Sequence, residues 1–203
     1  AVKRPDSVSF DSRTEALCGF NVAGPKSREL LGRLTQADLS NEAWKFMRSA
    51  QITVAGIDAI AIRVSFTGDL GWEVYVDEAD QLKLYDALLE SGADLGVRPI
   101  GGRALLSLRV EKGYGSWGRE YSPEYWPQEV GLDRLIKMDK PAFLGREGYA
   151  ALAEKAPREK LVIVEVEARE ADASGGEPVF LPDGTPVGRV SSGAYGFSVE
   201  KSL

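Results

Sequence analysis

Phe66-Thr67-Gly68-Asp69-Leu70-Gly71-Trp72-Glu73 joins two stretches of alternating apolar and polar residues, 59–66 and 72–76. Alternation with a period of two is the mark of a half-buried strand. A short connection holding Gly68 and Gly71 has the composition of a hairpin loop a little longer than the tightest kind. The stretch therefore predicts a β-hairpin. In its second strand Trp72, Val74 and Val76 share one face, so Glu73 and Tyr75 point to the other. A carboxylate beside two glycines stands where a ligand can approach the backbone, which makes Glu73 a candidate recognition group. The alternative is the solvent-side residue of an edge strand.

Working outward, residues 51–55 and 59–66 alternate around Gly56-Ile57-Asp58, so that with 72–76 they predict a three-strand antiparallel run. Asp77 is a helix N-cap, and Leu82, Tyr85 and Leu89 form an apolar stripe ending near Gly92. Upstream, 16–22 reads as a strand, Gly24-Pro25 as a turn and 27–34 as a helix with Leu30, Leu31 and Leu34 at helical spacing. Trp44 and Phe46 lie in a short helical pattern over 41–48, and 1–10 is a polar, frayed lead-in. Downstream, Pro99-Ile100-Gly101-Gly102 precedes a helix over 103–112, with Leu105, Leu106 and Leu108 inward and Arg109, Glu111 and Lys112 outward. A further helix spans 145–154. Strands then follow at 161–166, 178–181 and 187–191, separated by Gly175-Gly176 and Pro182-Asp183-Gly184. The fold class is α+β: a split βαβ (ferredoxin-like), helix-covered antiparallel sheet, then the start of a small C-terminal β-barrel. An unfinished barrel exposes its edges and favours pairing with a second copy or aggregation.

Composition narrows the function. The chain has 203 residues, 43% hydrophobic and 28% charged, which excludes disorder and allows one large domain or two small ones. A net charge of −6 with no basic run argues against nucleic acid or an anionic membrane as partner. No stretch is long and apolar enough to span a bilayer and no signal-peptide pattern opens the chain, so a cytoplasmic protein is expected. Cys18, the single cysteine, reads as a buried strand thiol in a reducing compartment. The absence of histidine removes the commonest general base and the commonest metal ligand together, so serine–histidine chemistry and zinc sites are out. No metal is expected. A start at Ala1 and a stop at Leu203 just after a strand-like pattern suggest a piece of a longer protein.

Residues 66–73 resemble the Tyr-Thr-Gly-Glu-x-Gly-x-Glu segment of the glycine-cleavage T-protein (aminomethyltransferase) family, with Phe66 in place of the Tyr. Three later segments extend the resemblance. Leu108-Arg109-Val110-Glu111 with Gly113 is similar to the family's Leu-Arg-Leu-Glu-x-Gly, Trp126–Leu132 to Thr-Pro-x-Glu-Ala-Gly-Leu, and Phe143–Glu147 to Phe-Ile-Gly-Arg-Glu. Glu111-Lys112-Gly113-Tyr114 followed by Trp117-Gly118 looks more like the folate domain fused to sarcosine and dimethylglycine dehydrogenases. One departure stands out: Leu105 and Leu106 occupy the place of the family's Arg-Asp, whose Arg helps hold folate, and Arg103, half a turn away, is either a partial substitute for it or a surface residue.

The resemblance implies a tetrahydrofolate-binding portion of a one-carbon transferase that forms methylenetetrahydrofolate from an aminomethyl or iminium donor. Glu73 would bind the pterin, because a charged acceptor can take two adjacent N–H donors in one plane. Phe66, Tyr114 and Trp117 are the aromatic candidates beside it. The family's essential aspartate lies upstream of this sequence, so no catalytic residue is assigned, and Asp69, Glu111 and Glu129 read as structural or surface carboxylates. The implied divisions are 1–50 as the remainder of the first T-protein domain, 51–157 as the folate region and 158–203 as a partial barrel. FAD in a preceding domain and a lipoyl carrier protein or fused flavin domain as partner also follow from the resemblance. The isolated chain is expected to be inactive. Three other readings stay open: a folate-dependent demethylase of the dimethylsulfoniopropionate type, a folate-binding iron–sulfur assembly protein, and a structural module of a flavoprotein. The assembly protein's Lys-Gly-Cys-Tyr-x-Gly-Gln-Glu signature is approached by Lys112-Gly113-Tyr114 and Gly118-Arg119-Glu120 without the Cys.

Overall fold

Residues that alternate in character alternate in burial, and this places the strands. The computed structural model describes residues 8–203; most of the expected lead-in, residues 1–7, lies outside the described residues. The chain divides into two units, Ala1–Ile100 and Gly101–Leu203.

The first unit runs β1 (Leu17–Ala23), α1 (Ser27–Leu34), β2 (Ser49–Val54), β3 (Ile57–Ile62), β4 (Gly71–Asp77) and α2 (Gln81–Ser91). Its four strands form one sheet in the order β1-β4-β3-β2, and every pair is antiparallel. The meander β2–β3–β4 is the predicted three-strand run. β1 returns along β4 from Leu17 opposite Asp77 to Ala23 opposite Gly71, which is the strand order of a Greek key. A boundary at residue 51 would therefore part β1 from the sheet it completes. Trp72, Val74 and Val76 are buried together with Val54, Ile57, Ala59 and Ala61, and α1 and α2 close that face with Leu30, Leu31, Leu84 and Leu88. The expected helix-covered antiparallel sheet is thus present.

Four local expectations in this unit are corrected. The buried stripe of α2 is Leu84 and Leu88, while Leu82 is 72% exposed and Tyr85 38%. A 3-10 turn at Glu78–Asp80 precedes the helix, and Asp77 makes no side-chain cap bond. Residues 41–48 form turns and no helix, because Met47 sits at φ 65°, a left-handed conformation that a right-handed helix cannot pass through. Trp44 is buried there all the same and donates its indole N–H to the Arg48 carbonyl at 3.1 Å, whereas Phe46 is exposed. β3 stops at Ile62 and does not run on to residue 66. The β2–β3 hairpin turns through Ala55 (φ 52°) and Gly56 (φ 73°), two successive positive values that match the hand of twisted strands.

The second unit contains α3 (Gly102–Glu111), α4 (Arg146–Ala153), β5 (Pro178–Phe180) paired with β6 (Pro186–Arg189), and β7 (Tyr195–Gly196) paired with β8 (Lys201–Ser202). These are the small C-terminal strands. Residues 161–166 make no strand: Val166 bridges Ser202, but Val162, Ile163 and Val164 are each more than half exposed. β-branched composition suits a strand but supplies no partner for its backbone groups. The inward face predicted for α3 is corrected in part, since Ser107, Arg109 and Val110 are buried and Leu106 is 39% exposed, while Leu105 and Leu108 are half-buried and Lys112 is exposed as expected. Among the described residues no helix is long and apolar enough to cross a membrane.

Candidate functional site

Residues 63–70 lead into β4 as a curled loop, not the short turn the sequence implied. Thr67 is buried, and its hydroxyl lies 2.9 Å from the Ser65 hydroxyl. Gly68 then takes φ 77°. The Leu70 carbonyl receives the Gly24 N–H at 2.8 Å and the Ser27 hydroxyl at 2.8 Å, so both its lone pairs are used at the start of α1. At Gly71 a Cβ would stand 3.0 Å from the Val22 carbonyl and 3.0 Å from the Ser65 Cβ, so a side chain there would push β4 away from β1. Phe66 is half-buried in this loop.

Two residues beyond Gly71, Glu73 points to the face of the sheet opposite the core, half-buried, as the alternation predicted. It is flanked across the ladder by Asn21 of β1 and Ile62 of β3. Tyr75 shares that face and donates its hydroxyl to Glu73 Oε2 at 2.8 Å. That bond, helped by partial burial, raises the Tyr75 hydroxyl pKa, because ionising the ring would set two anions side by side. The ring lies over Gly19 of β1, where a Cβ would meet Tyr75 Cε1 at 2.8 Å. Exposed Gly19, Asn21, Gln51, Thr53 and Ile60 continue this outer face. Tyr75 was legible as a neighbour of Glu73 from the period of two; its hydrogen bond was not.

Tyr114 (44% exposed) and Trp117 (87% exposed) belong to the loop that follows α3 in the second unit. Buried charge organises that loop. Arg109 Nη1 donates to the Tyr114 carbonyl at 2.9 Å and to Glu120 Oε2 at 3.2 Å, and Nη2 donates to the Ser192 hydroxyl at 2.6 Å. The Ser192 hydroxyl donates in turn to Glu120 Oε1 at 2.6 Å, and the Ser116 N–H to Oε2 at 2.8 Å. Burial pushes the Glu120 carboxyl up, but the donors from Ser192, the Ser116 N–H and Ser191 outweigh it and hold the group at about 2. This reverses the outward assignment of Arg109. Its partners lie 11 and 83 residues away, beyond the reach of local periodicity.

Glu129 is the structural carboxylate the sequence suggested. Arg158 grips it through Nε at 2.8 Å and Nη2 at 2.7 Å, and the Trp126 and Arg158 N–H groups complete its shell. The Arg158 hydrogen bonds, foremost, hold its carboxyl at about 2. The same guanidinium lies 4.6 Å over the Trp126 ring, and Tyr125 accepts from Arg189 at 2.6 Å, so these two aromatics are structural. Of the four candidates, Phe66 and Glu73 stand in the first unit and Tyr114 and Trp117 in the second. Leu105 is partly buried and Arg103 is exposed, so the place of the family's Arg-Asp carries no cation. Among the described residues no group of three or more acidic or cysteine side chains could hold a metal.

Residues 1–140 match the GCVT N-terminal domain and residues 159–203 the glycine cleavage T-protein C-terminal barrel domain. Human mitochondrial dimethylglycine dehydrogenase is 36% identical over 204 residues, covering 100% of this chain and 23% of the relative. The 4-methylaminobutanoate oxidase (formaldehyde-forming) of Paenarthrobacter nicotinovorans is 39% identical, covering 100% of this chain and 24% of the relative. An aminomethyltransferase of Streptomyces avermitilis is 40% identical, covering 93% of this chain and 50% of the relative. The chain thus spans about a quarter to a half of the length of these proteins. The crystal structure of glycine cleavage system aminomethyltransferase T from Bartonella henselae superposes with a TM-score of 0.75 at 23% identity, over 92% of this chain and 50% of that one. Shared fold and matched domains together lead to one conclusion: this chain belongs to the glycine-cleavage T-protein family.

Proposed function

We propose that this chain is the tetrahydrofolate-binding portion of a one-carbon transferase of the aminomethyltransferase type, with Glu73 taking the pterin. The observation that carries the reading is the state of the Glu73 carboxylate. Oε2 is fixed by Tyr75 at 2.8 Å, and Oε1 accepts no hydrogen bond among the described residues, on an outer sheet face next to a glycine-bounded loop. A pterin offers adjacent N–H donors on its 2-amino-4-oxo edge, and an anionic acceptor with lone pairs to spare fits that edge. With leucines at the place of the family's Arg-Asp, recognition rests the more on this carboxylate.

Bound tetrahydrofolate would supply N5 and N10, which capture a carbon at the formaldehyde level. The names of two relatives support such a donor, since dimethylglycine and 4-methylaminobutanoate are both N-methyl amines. We infer that a flavin elsewhere in the longer protein generates the iminium, and that the chain's own part is to bind and orient its acceptor. Glu73→Gln keeps the shape and turns one acceptor into a donor facing the pterin's donors. It should cost roughly 1.5–3 kcal/mol, about one to two decades in folate affinity, without lowering the melting temperature. Calorimetric titration of the protein at its encoded length measures this, and unchanged affinity overturns the reading.

A further inference from the structure

We propose that Tyr75 is a positioning residue, which sets the plane of the Glu73 carboxylate for a ligand presenting two adjacent N–H donors, and that Gly19 is glycine to make room for its ring. The inference rests on the folate reading of Glu73 and concerns how that residue achieves its selectivity. The last torsion of a glutamate is broad and roughly two-fold, so a carboxylate on an open sheet face has no preferred plane of its own. Bidentate recognition needs one. The Tyr75 hydroxyl supplies it from the same face, two residues along the strand, through the 2.8 Å bond to Oε2. One lone pair of Oε2 is spent on this bond. The other, with both pairs of Oε1, is enough for two donors side by side.

The ring that carries the hydroxyl is itself held in place. Gly19 lies directly opposite Tyr75 in the β1–β4 register. A Cβ at residue 19 would stand 2.8 Å from Cε1 and 3.1 Å from Cδ1 of the ring. Gly19 is not among the glycines with positive φ, so its backbone is open to any residue. Space, not conformation, is what requires glycine there. Glycine inside a strand weakens the strand and marks a close approach, here that of the ring which aims the carboxylate. A hydroxyl also suits the task better than a cation, since it orients the carboxylate and leaves its charge for the ligand.

The test is calorimetric titration of the protein at its encoded length with tetrahydrofolate and with an analogue lacking the 2-amino group. Tyr75→Phe should bind tetrahydrofolate about tenfold more weakly, with an unchanged melting temperature. The preference for tetrahydrofolate over the analogue should shrink by a similar factor, because an unaligned carboxylate no longer distinguishes two donors from one. Gly19→Ala should reproduce both changes by displacing the ring; if that variant does not fold, Tyr75→Phe decides alone. Wild-type affinity and wild-type discrimination in Tyr75→Phe, with Glu73→Gln impaired, would overturn the positioning role and leave the folate reading standing. Undiminished binding by Glu73→Gln would remove the folate reading and this inference with it.

Discussion

Val54, Trp72 and Leu84 lose all solvent contact in the first unit, whereas the side chains buried deepest in the second are Glu129, Arg109 and Glu120. Val110, at 9% exposure, is the sole apolar side chain among the buried described residues of the second unit. The contrast teaches how each responds to change. Apolar packing is non-directional and loses stability in proportion to the atoms removed. A buried ion pair is directional and fails as a whole, because losing one partner strands a charge away from water.

The sharpest way to break this comparison is Glu120→Gln. It leaves Arg109 buried with a neutral partner and should cost about 3–5 kcal/mol. Hydrogen exchange should report lost protection at the amides of α3 and of the loop that follows it, while β3 and β4 keep theirs. Retained protection in α3 would mean that charge does not hold the second unit. Acid probes the same contrast by titration. Glu120 and Glu129 titrate at about 2 in the folded chain, below an ordinary value of 4.5. Stability tied to a depressed carboxyl is complete above the unfolded value and disappears as pH falls through the folded one, so it drains away between pH 4.5 and about 2. The near-ultraviolet signal of Trp126 should therefore change in that window before that of buried Trp72. In the first unit the carboxyls held low, Asp94 by its hydrogen bonds from Arg33 and Asp38 by the Ser40 N–H, lie at the surface, where solvent screens them. The smallest effect belongs to Ala55. An alanine at φ 52° is strained where asparagine is tolerated, so Ala55→Asn should raise the urea midpoint by the equivalent of about 0.5–1 kcal/mol.

What the sequence made legible follows the same division. α1 spans residues 27–34 as predicted, and the split between Trp72, Val74, Val76 and Glu73, Tyr75 is as the period of two required. One face of each of these elements meets an apolar core, and periodicity records that directly. In α3 the leucine pattern misled, because Arg109 is drawn inward by Glu120 and by Ser192, partners that no window around the helix contains. Residues 161–166 carry strand composition, but only Val166 meets a strand, bridging Ser202 of β8. Of the site, the position of Glu73 could be read from the chain. The hydroxyl that orients it depends on Gly19, more than fifty residues earlier, and became visible only through the pairing register.

The Leu70 carbonyl, saturated by the Gly24 N–H and the Ser27 hydroxyl, has a kinetic consequence. A loop free to swing would have to be stilled each time a ligand arrived, and that ordering would be charged against every binding event. Here the segment that enters β4 is tied to the Gly24 turn and to the Ser27 hydroxyl at the start of α1, so opening it breaks both hydrogen bonds. Encounters near Glu73 therefore meet a surface already in its final shape. Association should be limited by diffusion and orientation, and differences in affinity among ligands should be written almost wholly in how fast each one leaves.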